Sequence, residues 1–114
     1  MVVREFGGPE VMECREIPRP VAGPGQVLLR VKASSVNPVD TKIRSGMLAA
    51  MAPDAPMVLG CDAAGVVEET GPGVTVFAPG DEVYGCAGGV KGYGGALAEY
   101  MAADVRLLAP KPRN

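Results

Sequence analysis

The stretch Val58-Leu-Gly-Cys-Asp-Ala-Ala-Gly-Val-Val-Glu-Glu-Thr-Gly-Pro-Gly-Val-Thr-Val-Phe-Ala-Pro-Gly-Asp-Glu-Val-Tyr84 decides the fold. It reads as one bent β-hairpin. Gly60, Ala63, Ala64 and Gly65 stand where a strand would carry bulk, which predicts a sharp bend or a second backbone packed close. Val66 and Val67 resume β-branched strand, and Thr70-Gly-Pro-Gly73 interrupts it. In Ala78-Pro-Gly-Asp81 proline takes the first central position and glycine the second, the demand of a type II turn. A bend, a long hairpin and a Pro-Gly corner predict a mostly β chain folded as a small, partly open barrel.

Working outward, Gln26–Ser34 is the clearest strand. Val27, Leu29, Val31 and Ala33 alternate with Leu28, Arg30, Lys32 and Ser34, so the first set is expected in the core and the second mostly in water. Asn37 then offers a helix N-cap, Pro38 suits the first helical position, Asp40 lies near the positive end of the dipole, and Gly46 can close the helix. One short helix near residues 38–46 follows. Val2-Val3 and Met12–Ile17 read as strands, as do Ala96–Met101 and Val105–Ala109 near the other end. Prolines and glycines from Pro18 to Gly25 force an extended loop. Met47–Met57, broken by Pro53 and Pro56, reads as a loop over a site, and Pro110-Lys-Pro-Arg-Asn114 as the start of a linker.

Composition bounds the rest. A chain of 114 residues that is 47% hydrophobic and 21% charged is one ordinary globular domain, residues 1–114. Eleven basic against thirteen acidic residues give a net charge of -2, without a basic run, which argues against nucleic acid or an anionic membrane as partner. The chain has no histidine, so His-dependent triads and the commonest metal ligand are both absent. Three widely spaced cysteines, Cys14, Cys61 and Cys86, support neither a disulfide framework nor a zinc finger, and a reducing cytoplasm is expected. No apolar run approaches the roughly 18 residues of a membrane span. Gly85–Gly95 is glycine-rich but contains no Walker or dinucleotide fingerprint, and is read as a flexible hairpin loop.

Asn37-Pro-Val-Asp40 after an alternating strand, then Leu59–Val74, Pro79-Gly-Asp-Glu-Val-Tyr-Gly85 and Ala98-Glu-Tyr100, closely resembles the medium-chain dehydrogenase/reductases. The likeness is to their zinc-free quinone oxidoreductase branch, and it runs from about Val2 to Pro112. It implies a GroES-like catalytic domain. In the zinc alcohol dehydrogenases a catalytic cysteine lies where this chain has Asn37, and Gly-His-Glu lies where it has Gly60-Cys-Asp62. An amide and a thiol do not supply the three or four converging donors that zinc needs, so no metal is expected, beyond an adventitious site through Cys61 with Asp62 or Asp40.

Without a metal, a hydride acceptor must be activated by hydrogen bonds or be electron-poor already, as quinones and α,β-unsaturated carbonyls are. Similar enzymes reduce such compounds with NADPH. The resemblance implies that Asn37 and Asp40 line the cleft as catalytic residues, that Asn37 and Lys42 face the cofactor, and that Lys42, Cys61 and Tyr93 meet substrate. Lys42 stands where many relatives carry tyrosine. Each position also has a plainer reading: Asn37 as a cap, Asp40 as dipole partner, Lys42 as a solvated charge, Cys61 as a small buried residue, Tyr93 as cover for apolar surface.

The family also uses a dinucleotide-binding domain of roughly another 150 residues. The chain is therefore expected to be a catalytic domain truncated before its Rossmann cofactor domain, inactive and free of NADPH by itself. Surface exposed by that cut predicts self-association, as a homodimer or more. A different class stays open, a stand-alone GroES-like binding or structural module without catalysis. The Asn-Pro-Val-Asp and Gly60–Gly65 motifs favour the enzyme, and the reading frame past Asn114 would discriminate the two.

Overall fold

The computed structural model describes residues 1–53 and 57–112. Its seven strands are β1 (Val2–Val3), β2 (Met12–Glu13), β3 (Gln26–Ser34), β4 (Asp62–Thr70), β5 (Glu82–Cys86), β6 (Tyr100–Asp104) and β7 (Ala109–Pro110). A single α-helix, α1 (Pro38–Ser45), follows β3. The architecture is mostly β with one short helix, as the sequence predicts. No helix among the described residues is long and apolar enough to cross a membrane.

β1 and β2 form a two-stranded ribbon, and the other strands make one antiparallel sheet in the order β6-β3-β4-β5-β7. Its two edges, β6 and β7, are consecutive in the chain and joined by a single 3₁₀ turn, Val105–Leu107. So short a link holds the two edges near each other, but they do not pair, and the sheet stays open rather than closing into a barrel. The hairpin centred on residues 62–86 pairs Asp62 with Cys86 and Val66 with Glu82. Its corner is the expected turn: Asp81 N–H donates to Ala78 O at 3.1 Å, and Gly80 has φ +94°.

The small residues of β4 answer to a close approach. At Gly65 an added Cβ would strike the carbonyl oxygen of Arg30 on β3, so only glycine lets the two backbones meet there. Val27, Leu29, Val67, Val83 and Met101 fill the main core. Val3, Ile43, Met57 and Leu59 form a second cluster that seats α1 against the ribbon.

The structure departs from simple alternation in β3. Leu28, expected in water, is buried, while Ala33, expected inside, is exposed. Register shifts between Leu28 and Leu29 and between Val31 and Ala33 explain both, since each slip changes which face a side chain takes. β2 ends at Glu13 rather than Ile17, because its partner β1 is only two residues long. The last strands are also displaced. Ala96 and Leu97 donate instead to the carbonyls of Gly60 and Leu59, and Asp104 caps the 3₁₀ turn by accepting from Arg106 N–H at 2.9 Å. The glycine-rich loop is packed, not free. Gly89 lies against Gly60, and Lys91 N–H donates to Met51 O at 2.6 Å. Within the predicted 47–57 loop, Ala49–Met51 is a 3₁₀ turn, and residues 54–56, with Pro56, lie outside the described residues. Of the predicted linker, Arg113 and Asn114 do likewise.

Candidate active site

The turn from β3 into α1 and the start of β4 lie side by side because β3 and β4 are antiparallel neighbours, with Ser34 opposite Ala63. That register brings residues 34–37 onto Asp62. Ser34 Oγ donates to the Asp62 carbonyl at 2.9 Å, and Ser35 Oγ donates to Asp62 Oδ2 at 2.8 Å. Asn37 Nδ2 donates to the same Oδ2 at 2.8 Å. The Asn37 amide bond first and the Ser35 hydroxyl second hold the Asp62 carboxyl below the usual carboxylate range, because both donors favour the charged form.

Behind this pair sits a second one. Asp40 is only 4% exposed, and its Oδ2 accepts from the Asn37 backbone N–H at 2.8 Å, the returning half of a capping box. Its Oδ1 accepts from Cys61 Sγ at 3.4 Å. Burial, and then the Asp40 charge, push the Cys61 thiol up from 9.0 to about 12, so it stays protonated at neutral pH. Asn37 is therefore clamped twice, by its backbone to Asp40 and by its side chain to Asp62.

Three of the five residues singled out from the sequence thus converge: Asn37, Asp40 and Cys61. The other two stand apart. Lys42 is exposed, and as its place on α1 is two residues beyond buried Asp40 it projects from the opposite side of the helix. Tyr93 is half-buried in the glycine loop, where its N–H donates to Val90 O and its ring lies toward Arg106. Asp62, considered from the sequence only as an adventitious ligand, is the hub. Ser34 and Ser35 carried no motif, and only the pairing of β3 with β4 reveals them.

Beside Asp62 opens a cleft of about 390 Å³ walled by Ala33, Ala63, Ala64, Tyr84 and Cys86. Tyr84 is 45% exposed, an aromatic surface above small side chains. The room is right for a planar ring, with the Asp62 carboxylate at one side and Asn37 reaching the cleft only through its bond to Asp62. Among the described residues no group of three or more His, Cys, Asp or Glu could hold a metal ion.

Comparison with known proteins identifies the family. Residues 23–113 match the family described as alcohol dehydrogenase GroES-like domain. The chain is 40% identical over 119 residues to the NADPH-dependent alkenal/one oxidoreductase, chloroplastic, of Arabidopsis thaliana, covering 99% of the chain and 31% of that protein. It is 45% identical over 104 residues to the quinone oxidoreductase of Sus scrofa, covering 90% and 30%. Its fold superposes on Escherichia coli quinone oxidoreductase complexed with NADPH with a TM-score of 0.86 at 30% identity, covering 97% and 32%. The chain spans about a third of the length of the curated relatives it matches. By sequence and by fold, it belongs to the alcohol dehydrogenase GroES-like domain family, within the quinone oxidoreductase-like branch of the medium-chain dehydrogenase/reductases.

Proposed function

We propose that this chain is the substrate-binding catalytic domain of an NADPH-dependent oxidoreductase that transfers hydride to quinones or α,β-unsaturated carbonyls without zinc. The observation that carries the reading is the doubly clamped Asn37 beside a ring-sized cleft, in a chain whose relatives are named for quinones and alkenals.

NADPH supplies the hydride when bound. Asn37 and Lys42 are the contacts this chain would offer it, Asn37 from beside Asp62 and Lys42 as a phosphate contact from the exposed face of α1. The Asp40 carboxylate occupies the Asn37 N–H at the start of α1 and sets a negative charge there, which does not favour a phosphate. The bulk of the cofactor is therefore assigned to a separate dinucleotide-binding domain, and residues 1–114 alone are expected to be inactive.

An electron-poor acceptor needs orientation more than activation. Its ring lies between Tyr84 and the alanine wall, and Asn37, whose first amide N–H is held by Asp62, turns its second N–H toward the carbonyl. Asp40 fixes Asn37 from behind, and the Cys61 thiol holds Asp40 in place. Fusing the chain to the cofactor domain of the Escherichia coli quinone oxidoreductase and following NADPH oxidation tests the proposal. Turnover of a quinone or enone that survives a zinc chelator, and falls on the order of 10- to 100-fold in Asn37→Ala, is expected. A fusion that is folded yet inert, or that a chelator silences, would overturn it.

A further inference from the structure

We propose that Asp62 is the specificity-determining residue of the cleft, selecting neutral planar carbonyl compounds with a hydrogen-bond donor and rejecting those that carry a carboxylate. The inference rests on the proposed acceptor site and deepens it. Among the described residues Asp62 is the only carboxylate lining the cleft, and the remaining walls are small, apolar or uncharged. Its Oδ2 is consumed by Ser35 and Asn37, both at 2.8 Å, which fixes the carboxylate plane. The second oxygen, Oδ1, takes no hydrogen bond from Ser35 or Asn37, so beside the Cys86 thiol it keeps lone-pair capacity for a ligand's donor. A fixed charge at the edge of a mostly apolar cleft acts on a bound ring at short range, so it discriminates by charge even where shape does not.

The same network explains why the charge persists. Two donors favour the ionised carboxylate, and the Cys86 thiol beside it adds a third, weaker contribution. Among the described residues no lysine or arginine lines the cleft to neutralise it.

The test uses aryl ketones, which lack the activated double bond that would alkylate Cys14 or Cys86. Acetophenone, 4-hydroxyacetophenone and 4-acetylbenzoate are titrated into the isotope-labelled chain and followed by amide chemical shifts. The two neutral ketones should perturb Ala64, Tyr84 and Cys86, with 4-hydroxyacetophenone the tighter. 4-Acetylbenzoate should bind weaker by about tenfold. In Asp62→Asn, which keeps the shape and an acceptor for Ser35, that gap should close. Asp62→Ser serves as a second variant should the first fail to fold. Neutral ketones that bind while the benzoate binds equally well, or a gap that persists in both variants, would overturn the role of Asp62 and leave the acceptor site standing. Neutral ketones that leave the cleft unperturbed would overturn both.

Discussion

A thiol in this site reports its surroundings more directly than any other group. Cys61 is 5% exposed and donates to Asp40, whereas Cys14 and Cys86 are exposed. At about pH 8, iodoacetamide should label Cys14 and Cys86 in the native chain and reach Cys61 only after denaturation, as read by peptide mass. Rapid native labelling of Cys61 would contradict the buried pair. Because folding raises this thiol from 9.0 to about 12, the native state keeps a proton that the unfolded chain has lost in that window. The stability it contributes is complete below pH 9.0 and is lost as pH rises toward about 12. Urea midpoints should fall over that interval, and Cys61→Ala should flatten the fall. Gly65 makes a second residue-scale case. Its alanine variant meets the Arg30 backbone rather than a side chain that could swing away, so Gly65→Ala should cost about 1–3 kcal/mol. An unchanged denaturation midpoint would refute the close approach.

At the scale of elements, α1 is eight residues long, too short to stand by its own propensity. Its ends and its buried face hold it. Asp40 satisfies the N-terminus, Gly46 closes the other end at φ +91°, and Ile43 packs into the second apolar cluster. Asp40→Ala removes the acceptor of the Asn37 N–H and of the Cys61 thiol together. A loss of about 1–3 kcal/mol in thermal or urea unfolding is expected, with Asp40→Asn milder because one oxygen remains. The same substitution should bring Cys61 into reach of alkylation. Equal losses in the two variants would show that the charge of Asp40 matters more than its acceptor geometry.

For the whole molecule, the apolar surface near α1 is the feature that reaches beyond the chain. Val36 and Met47, at its two ends, are 69% and 73% exposed, and Phe6 lies against Gly46 with its ring half open to solvent. Such a patch favours association. Sedimentation should give a mass that grows between micromolar and millimolar concentration, and Met47→Lys should reduce the growth. A monomer throughout that range would contradict the expectation.

What the sequence determined by itself was local. The β3 boundaries, the Asn37–Gly46 helix with its cap and stop, and the Pro79-Gly80 corner each depend on a few adjacent residues, and each lies where the sequence places it. Tertiary structure decided whatever depends on partners far along the chain. The bulges that bury Leu28 and expose Ala33 come from the register with β4. The nearness of the sheet's two edges comes from the one short turn that joins them. Asp62 became the hub of the site because antiparallel pairing carries it across to Asn37, while Lys42, two residues from Asp40, was turned outward by the helical repeat. Turns and caps are settled by neighbours in sequence, but convergence of side chains is settled by register, which only the folded sheet supplies.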